Sequence, residues 1–137
     1  MKYWIIKSEP TNWSWDDQKR CKITMWDGVR NYQARNSLIA MKKNDFCFFY
    51  HSVNEKQIVG IVSVIKEHYP DPTDKTGKFV VVNVRAEKSL PKPVSLKTIK
   101  DEKKLSHIAL VKQSRLSVMQ IDFSSWKLIC KMGKLII

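Results

Sequence analysis

Glycine and cysteine are both scarce in this sequence of 137 residues, with four and three copies. No glycine-rich loop of the G-x-x-x-x-G-K-[ST] or G-x-G-x-x-G kind is present, so phosphate cradling by a P-loop or a dinucleotide fingerprint is excluded. Cys21, Cys47 and Cys130 are odd in number, far apart and without C-x-x-C spacing. That argues against a disulfide framework and against a zinc site, and fits a reducing compartment. His51, His68 and His107 are equally scattered, so no metal and no cofactor is expected. The catalytic signatures G-x-S-x-G and H-E-x-x-H are absent. Apolar runs are short and strand-like, so no transmembrane helix and no membrane partner is expected. Met1-Lys2 leads straight into Tyr3-Trp4-Ile5-Ile6, without a cleavage site and too short for a signal h-region. Low-complexity tracts and internal repeats are missing as well.

Acid is also in short supply. Lys+Arg is 25 against Asp+Glu 13, a formal net charge of +12. A surplus of that size favours a polyanionic partner such as nucleic acid; the bland alternative is a solubilising lysine-rich surface. The length suits one domain over residues 1–137, with a core large enough to need no staple, and a monomer is expected.

The residues present read mainly as strands. Tyr3 to Lys7 is aromatic and β-branched, and Pro10 ends that segment. Ser14 caps a short helical turn beginning at Trp15, with Trp13 and Trp15 expected to cover the core. Asn31 is a good N-cap for a helix whose Ala34, Leu38 and Met41 share a face. Phe46 to His51 alternates, with Phe46, Phe48 and Tyr50 on one face and Cys47, Phe49 and His51 on the other. Gln57 to His68 is apolar on both faces, hence central, and Gly60 marks a bend or bulge. Phe79 to Glu87 is a third long strand. Ser95 caps a short helix over Leu96 to Ile99, and Arg115 to Ile121 alternates as a last strand. Ser124 or Ser125 caps a final helix that buries Trp126, Ile129 and Cys130, with Gly133 as its C′ residue. About five strands with short helices between them favour an α+β fold: a small, mixed, mainly antiparallel β-barrel rather than a doubly wound sheet.

One stretch carries unusual chemistry, Met25-Trp26-Asp27-Gly28-Val29-Arg30-Asn31-Tyr32-Gln33-Ala34-Arg35-Asn36. Flat apolar faces stand beside planar hydrogen-bonding edges, which is what a nucleobase asks of a protein. The same residues also describe a loop capping a barrel, with Trp26 an ordinary buried ring. Arg30 and Asn31 fall at a helix N-terminus, where backbone N–H groups attract a phosphate or a carbonyl edge. Tyr50-His51-Ser52 ends a strand where it opens into a loop, and Ser8 is similarly placed. Arg115, at the start of a strand, reaches a phosphate or base edge, or else pairs internally.

Catalysis is poorly supplied. Cys47 and His51 share a strand face but lie roughly 13 Å apart, too far for a nucleophile–base pair. Asp16-Asp17 is a helix-cap pair, and Asp71, between Pro70 and Pro72, reads as turn chemistry.

Taken together, Tyr3-Trp4, Lys7-Ser8-Glu9-Pro10, the Trp26–Asn36 run, Phe49-Tyr50-His51-Ser52, Val59-Gly60-Ile61, Tyr69-Pro70-Asp71-Pro72 and Arg115-Leu116-Ser117-Val118 resemble the EVE domain family in order and spacing. The resemblance implies a PUA-like fold, related to YTH and ASCH domains. It also implies a non-catalytic reader of modified bases in DNA or RNA, with modified cytosine the usual suggestion. In that role Trp26 and Tyr50 form an aromatic pocket, Ser8, Asn31, His51 and Ser52 supply polar contacts, and Arg30, Arg115 and Ser117 meet backbone or base edges. The location implied is cytoplasmic in a prokaryote and nuclear in a eukaryote. Two rivals remain: an ASCH-like nuclease or hydrolase drawing on His51, Glu9 or Asp27, and a protein-interaction module using the basic face alone.

Overall fold

A computed structural model describes residues 1–135. Six strands form one sheet: β1 (Tyr3–Ser8), β2 (Ile23–Met25), β3 (Phe46–His51), β4 (Gln57–Pro70), β5 (Val80–Ser95) and β6 (Val118–Ile121). The order across the sheet is β2-β5-β4-β3-β1-β6. Only β1 and β3 run parallel; every other neighbour is antiparallel. The expected mixed, mainly antiparallel architecture is therefore present, with six strands in place of five. Its ladder does not close, since β2 and β6 are edges. Helix α2 (Tyr32–Ala40) packs against β6, β5 and β4.

The helices begin where side chains can satisfy free N–H groups. Ser14 caps α1 (Trp15–Cys21) in a reciprocal box with Asp17. Asn31 caps α2 by accepting from Ala34 N–H, and Ser95 caps α3 (Leu96–Asp101) by accepting from Thr98 N–H. The final helix α5 (Phe123–Met132) is capped by Asp122, not by Ser124 or Ser125; the Ser125 hydroxyl instead donates to the Asp122 carboxylate at 2.7 Å. Gly133 sits at the C-cap with φ −81, and Lys134 takes the left-handed turn that was expected of a glycine.

Two spans differ from expectation. Residues 109–112 form a four-residue helix, α4 (Ala109–Lys112), with no side-chain cap to announce it. The last strand begins at Val118, so Arg115 and Ser117 stand in the loop before it. The end of that loop stays tied to β1: Lys7 N–H donates to the Ser117 carbonyl at 2.9 Å, in register with the β1–β6 pairs, and Lys7 Nζ donates to the Ser114 carbonyl at 3.0 Å.

The core lies on both faces of the sheet. On one face Phe48 stacks on Trp126 at 3.8 Å, which holds α5 down beside Ile129 and Cys130. On the other, Phe49 meets Trp15 and Trp26. The ring of Trp15 lies directly over Gly60, and the β4 pairing slips on both sides of that glycine. The bend expected there is thus a bulge that admits an indole. Tail residues 136 and 137 lie outside the described part.

Candidate functional site

The parallel pairing of β1 with β3 sets Ser8 opposite His51 and Lys7 opposite Tyr50. Both strands end at the same edge, and Ser52 N–H extends the ladder by donating to the Ser8 carbonyl at 2.9 Å. Ser8, Tyr50, His51 and Ser52 therefore do share one rim. Alternation divides them by face. Tyr50 points with Lys7, whose Nζ lies 5.5 Å from the Tyr50 ring centroid. His51 points with Phe49, whose ring it meets edge-on at 5.8 Å.

Trp26 belongs to the Phe49 face. Its ring meets Phe49 edge-on at 5.5 Å, and its N–H is tied to the Val82 carbonyl at 2.8 Å. Only 8% of it is exposed. The structure does not bring Trp26 and Tyr50 together as two walls of one pocket: Trp26 packs on Phe49, and Phe49 and Tyr50, adjacent in β3, point to opposite faces. Trp26 is a core ring.

His51 is spent on structure. Its Nε2 accepts from Trp15 N–H at 2.9 Å, and its Nδ1 pairs with Glu55 Oε1 at 3.1 Å. This arrangement requires the proton on Nδ1 and leaves neither ring nitrogen free. Ser8 donates its hydroxyl to the Trp13 carbonyl. As polar contacts to a ligand, both are therefore already engaged within the protein.

Arg30 is held by a buried carboxylate. Asp71 Oδ2 accepts from Arg30 Nη1 and from Gly28 N–H, each at 3.0 Å, while Oδ1 accepts from Thr73. Gly28 can present that N–H because its φ of +80 suits glycine. Burial pushes the Asp71 carboxyl up, but the bonds from Thr73, Gly28 and Arg30 outweigh it and leave its pKa below the ordinary value. Asp71 thus does more than build a turn: it fixes the backbone between Trp26 and α2.

Asn31 and Arg115, from distant parts of the chain, face each other across an open polar concavity lined also by Gln33, Lys112, Gln113 and Ser114. Lys112 and Arg115 are exposed and in no ion pair among the described residues, and no acid lines the hollow. Lys7 links this hollow to the rim by reaching from the Tyr50 ring to the Ser114 carbonyl. Burial lowers the Lys7 pKa and raises that of Tyr50 to about 12. Lys7 and Lys112 were not singled out from sequence. The signal for Lys7 was its parity, since it shares a strand face with Tyr3 and Ile5 where an apolar residue would be the default.

The free cysteines offer no alternative chemistry, because Cys47 and Cys130 are buried with raised pKa values and Cys21 stands alone at the surface. Among the described residues no cluster of three or more His, Cys, Asp or Glu side chains could hold a metal. No described helix is long and apolar enough to cross a membrane.

The model of the EVE domain matches residues 2–132. Thymocyte nuclear protein 1 from Mus musculus is 50% identical over 84 residues, covering 52% of this chain and 37% of that protein; less than half of such curated relatives is spanned. The NMR structure of Rpa0253 from Rhodopseudomonas palustris superposes with a TM-score of 0.94 at 48% identity, covering 100% of this chain and 96% of that one. The crystal structure of human THYN1 in complex with 5-methylcytosine-containing DNA superposes with a TM-score of 0.91 at 29% identity and covers 100% of both chains. An ASCH protein from Zymomonas mobilis, with a TM-score of 0.56 at 10% identity over 93% of this chain and 94% of its own, shares the fold alone.

Proposed function

Because the chain belongs to the EVE domain family, with its PUA-like fold, we propose that it is a non-catalytic nucleic-acid-binding module that recognises a modified base, modified cytosine in DNA or a modified base in RNA. The observation that carries the reading is the hollow, lined by no acid, in which Lys112 and Arg115, both exposed and in no ion pair among the described residues, face Asn31 and the start of α2. Cations without an internal partner are free to neutralise phosphate, and Arg does so with a bidentate fork. The likeness to human THYN1, solved with 5-methylcytosine-containing DNA, supports the same partner class.

Within that reading the base meets the small exposed part of Trp26, with its Nε1–H as the donor. Arg115 and Lys112 hold the backbone, and Asn31 keeps its Nδ2 for a base edge while its Oδ1 caps α2. Tyr50 contributes through Lys7 rather than as a partner wall to Trp26. Unstacking a base costs a few kcal/mol, and stacking returns about 1–3 kcal/mol, so phosphate contacts supply the rest. Of the residues the hydrolase reading draws on, His51 has both ring nitrogens bonded, which leaves Glu9 and Asp27 as its candidate bases.

The test is titration of a labelled oligonucleotide with and without 5-methylcytosine. The wild-type chain should prefer the modified one. Arg115→Ala should weaken both about equally and reduce the salt slope by about one. Trp26→Phe, which keeps a ring in the core but removes the donor, should reduce the preference. Equal affinities for the two wild-type complexes would reduce the claim to general polyanion binding.

A further inference from the structure

Tyr32 and Phe79 take no part in the site described so far. Their rings stack at 5.1 Å with an interplanar angle of 27°. The Arg35 guanidinium carbon lies 4.8 Å from the Tyr32 centroid, and that of Arg30 lies 5.6 Å from the Phe79 centroid. Four planar groups thus associate beside the start of α2. Phe79 is buried, yet Tyr32 remains 52% exposed.

The groups around Tyr32 are fixed by bonds outside the stack. Tyr32 is the first residue of α2, directly after the Asn31 cap. Phe79 N–H donates to Asp74 Oδ2 at 2.9 Å. Arg30 is held by Asp71 and Thr73. Arg35 donates Nη1 to the Lys78 carbonyl at 3.2 Å and Nη2 to Asn36 Oδ1 at 3.1 Å. Its Nε is buried with no partner among the described residues. Asp71 balances the charge of Arg30, whereas Arg35 is in no ion pair among the described residues. Lys75 and Lys78, both exposed, stand on the adjoining loop.

An exposed ring beside the Arg35 guanidinium, with Lys75 and Lys78 on the adjoining loop, matches the π-face and phosphate of a nucleotide. We propose that Tyr32 is a stacking platform for a nucleobase neighbouring the modified one, with Lys75 and Lys78 meeting the adjacent phosphates. Tyr32 lies between Asn31 and Gln33, which both line the hollow with Arg115, so one strand reaches both places. The inference rests on the nucleic-acid-binding reading above.

The experiment compares wild type, Tyr32→Ala and Tyr32→Phe on a short single-stranded oligonucleotide with one 5-methylcytosine and on its unmodified twin, with melting temperature recorded for each variant. Tyr32→Ala should weaken both complexes by the same factor, about 5- to 100-fold, leaving their ratio unchanged, and Tyr32→Phe should bind as wild type. A folded Tyr32→Ala variant with wild-type affinity for both overturns the platform, as does Tyr32→Phe losing as much as Tyr32→Ala. Failure of the modified-base reading appears separately, as equal wild-type affinities; a Tyr32→Ala loss on both oligonucleotides then still supports the platform. Wild type binding neither overturns both.

Discussion

The indole of Trp15 lies against Gly60 so closely that a Cβ on the glycine would fall inside the ring's van der Waals envelope, at Cζ2, Cε2 and Cη2. The ring cannot retreat. Trp15 N–H is held by His51 Nε2 at 2.9 Å, and its Nε1 donates to Ser89 Oγ at 2.8 Å. Gly60→Ala should therefore overpack the core and lower stability by about 1–3 kcal/mol. Chemical denaturation should show a lower midpoint. A variant as stable as wild type would mean that the ring has room to move.

Acid should loosen one loop before the core. Asp74 accepts from the Thr76 hydroxyl first of all, and from the N–H groups of Thr76, Phe79 and Lys78; together these overcome burial and pull its pKa down to about 2. Asp71 is lowered as well. A depressed carboxyl contributes stability that is fully present above its unfolded pKa, about 4, and is lost as pH falls through its folded value. Protection factors (intrinsic over observed exchange rate) at Thr76, Lys78 and Phe79 should thus be constant above about pH 5 and fall below about pH 4, with Asp74→Asn poorly protected at all pH values. Wild-type protection that stays constant down to about pH 2 would contradict the carboxylate's part in the loop.

Val53, at the tip between β3 and β4, has φ +72 and is 55% exposed. A β-branched side chain in the left-handed region costs about 1–2 kcal/mol. Asn tolerates that region, so Val53→Asn should raise stability by up to about 1 kcal/mol. Differential scanning calorimetry would register the gain as a higher Tm, and a drop in Tm would refute the strain argument.

Features that depend on a few consecutive residues were legible in the sequence. Ser14, Asn31 and Ser95 act as caps because a short side chain reaches an N–H two or three residues ahead, whatever the rest of the fold does. The alternation of β3 and the buried side of α5 were legible for the same reason. Arg115 and Ser117 were read into the strand because alternation does not show where the ladder ends; that is set by β1, more than a hundred residues away, whose pairs stop at Val118 with one further bond from Lys7 N–H to Ser117. At the candidate site, the sequence could nominate Arg30, Asn31 and Arg115 by chemistry. It could not show that Asp71 clamps Arg30, that His51 serves Trp15, or that Trp26 and Tyr50 lie on opposite faces. Those are consequences of strand order and register.

That order also bears on how the chain folds. β1 precedes every other strand of this sheet in the chain, yet it sits between β3 and β6, and β6 lies at Val118–Ile121. Its parallel pairing spans some forty residues and its antiparallel pairing well over a hundred. Contacts so distant along the chain are slow to form, because the loop they close must be ordered before any contact rewards it. During synthesis the first strand waits with one edge open until the segment leading to α5 emerges, and the rim built from Ser8, His51 and the 113–117 loop is assembled in that last step.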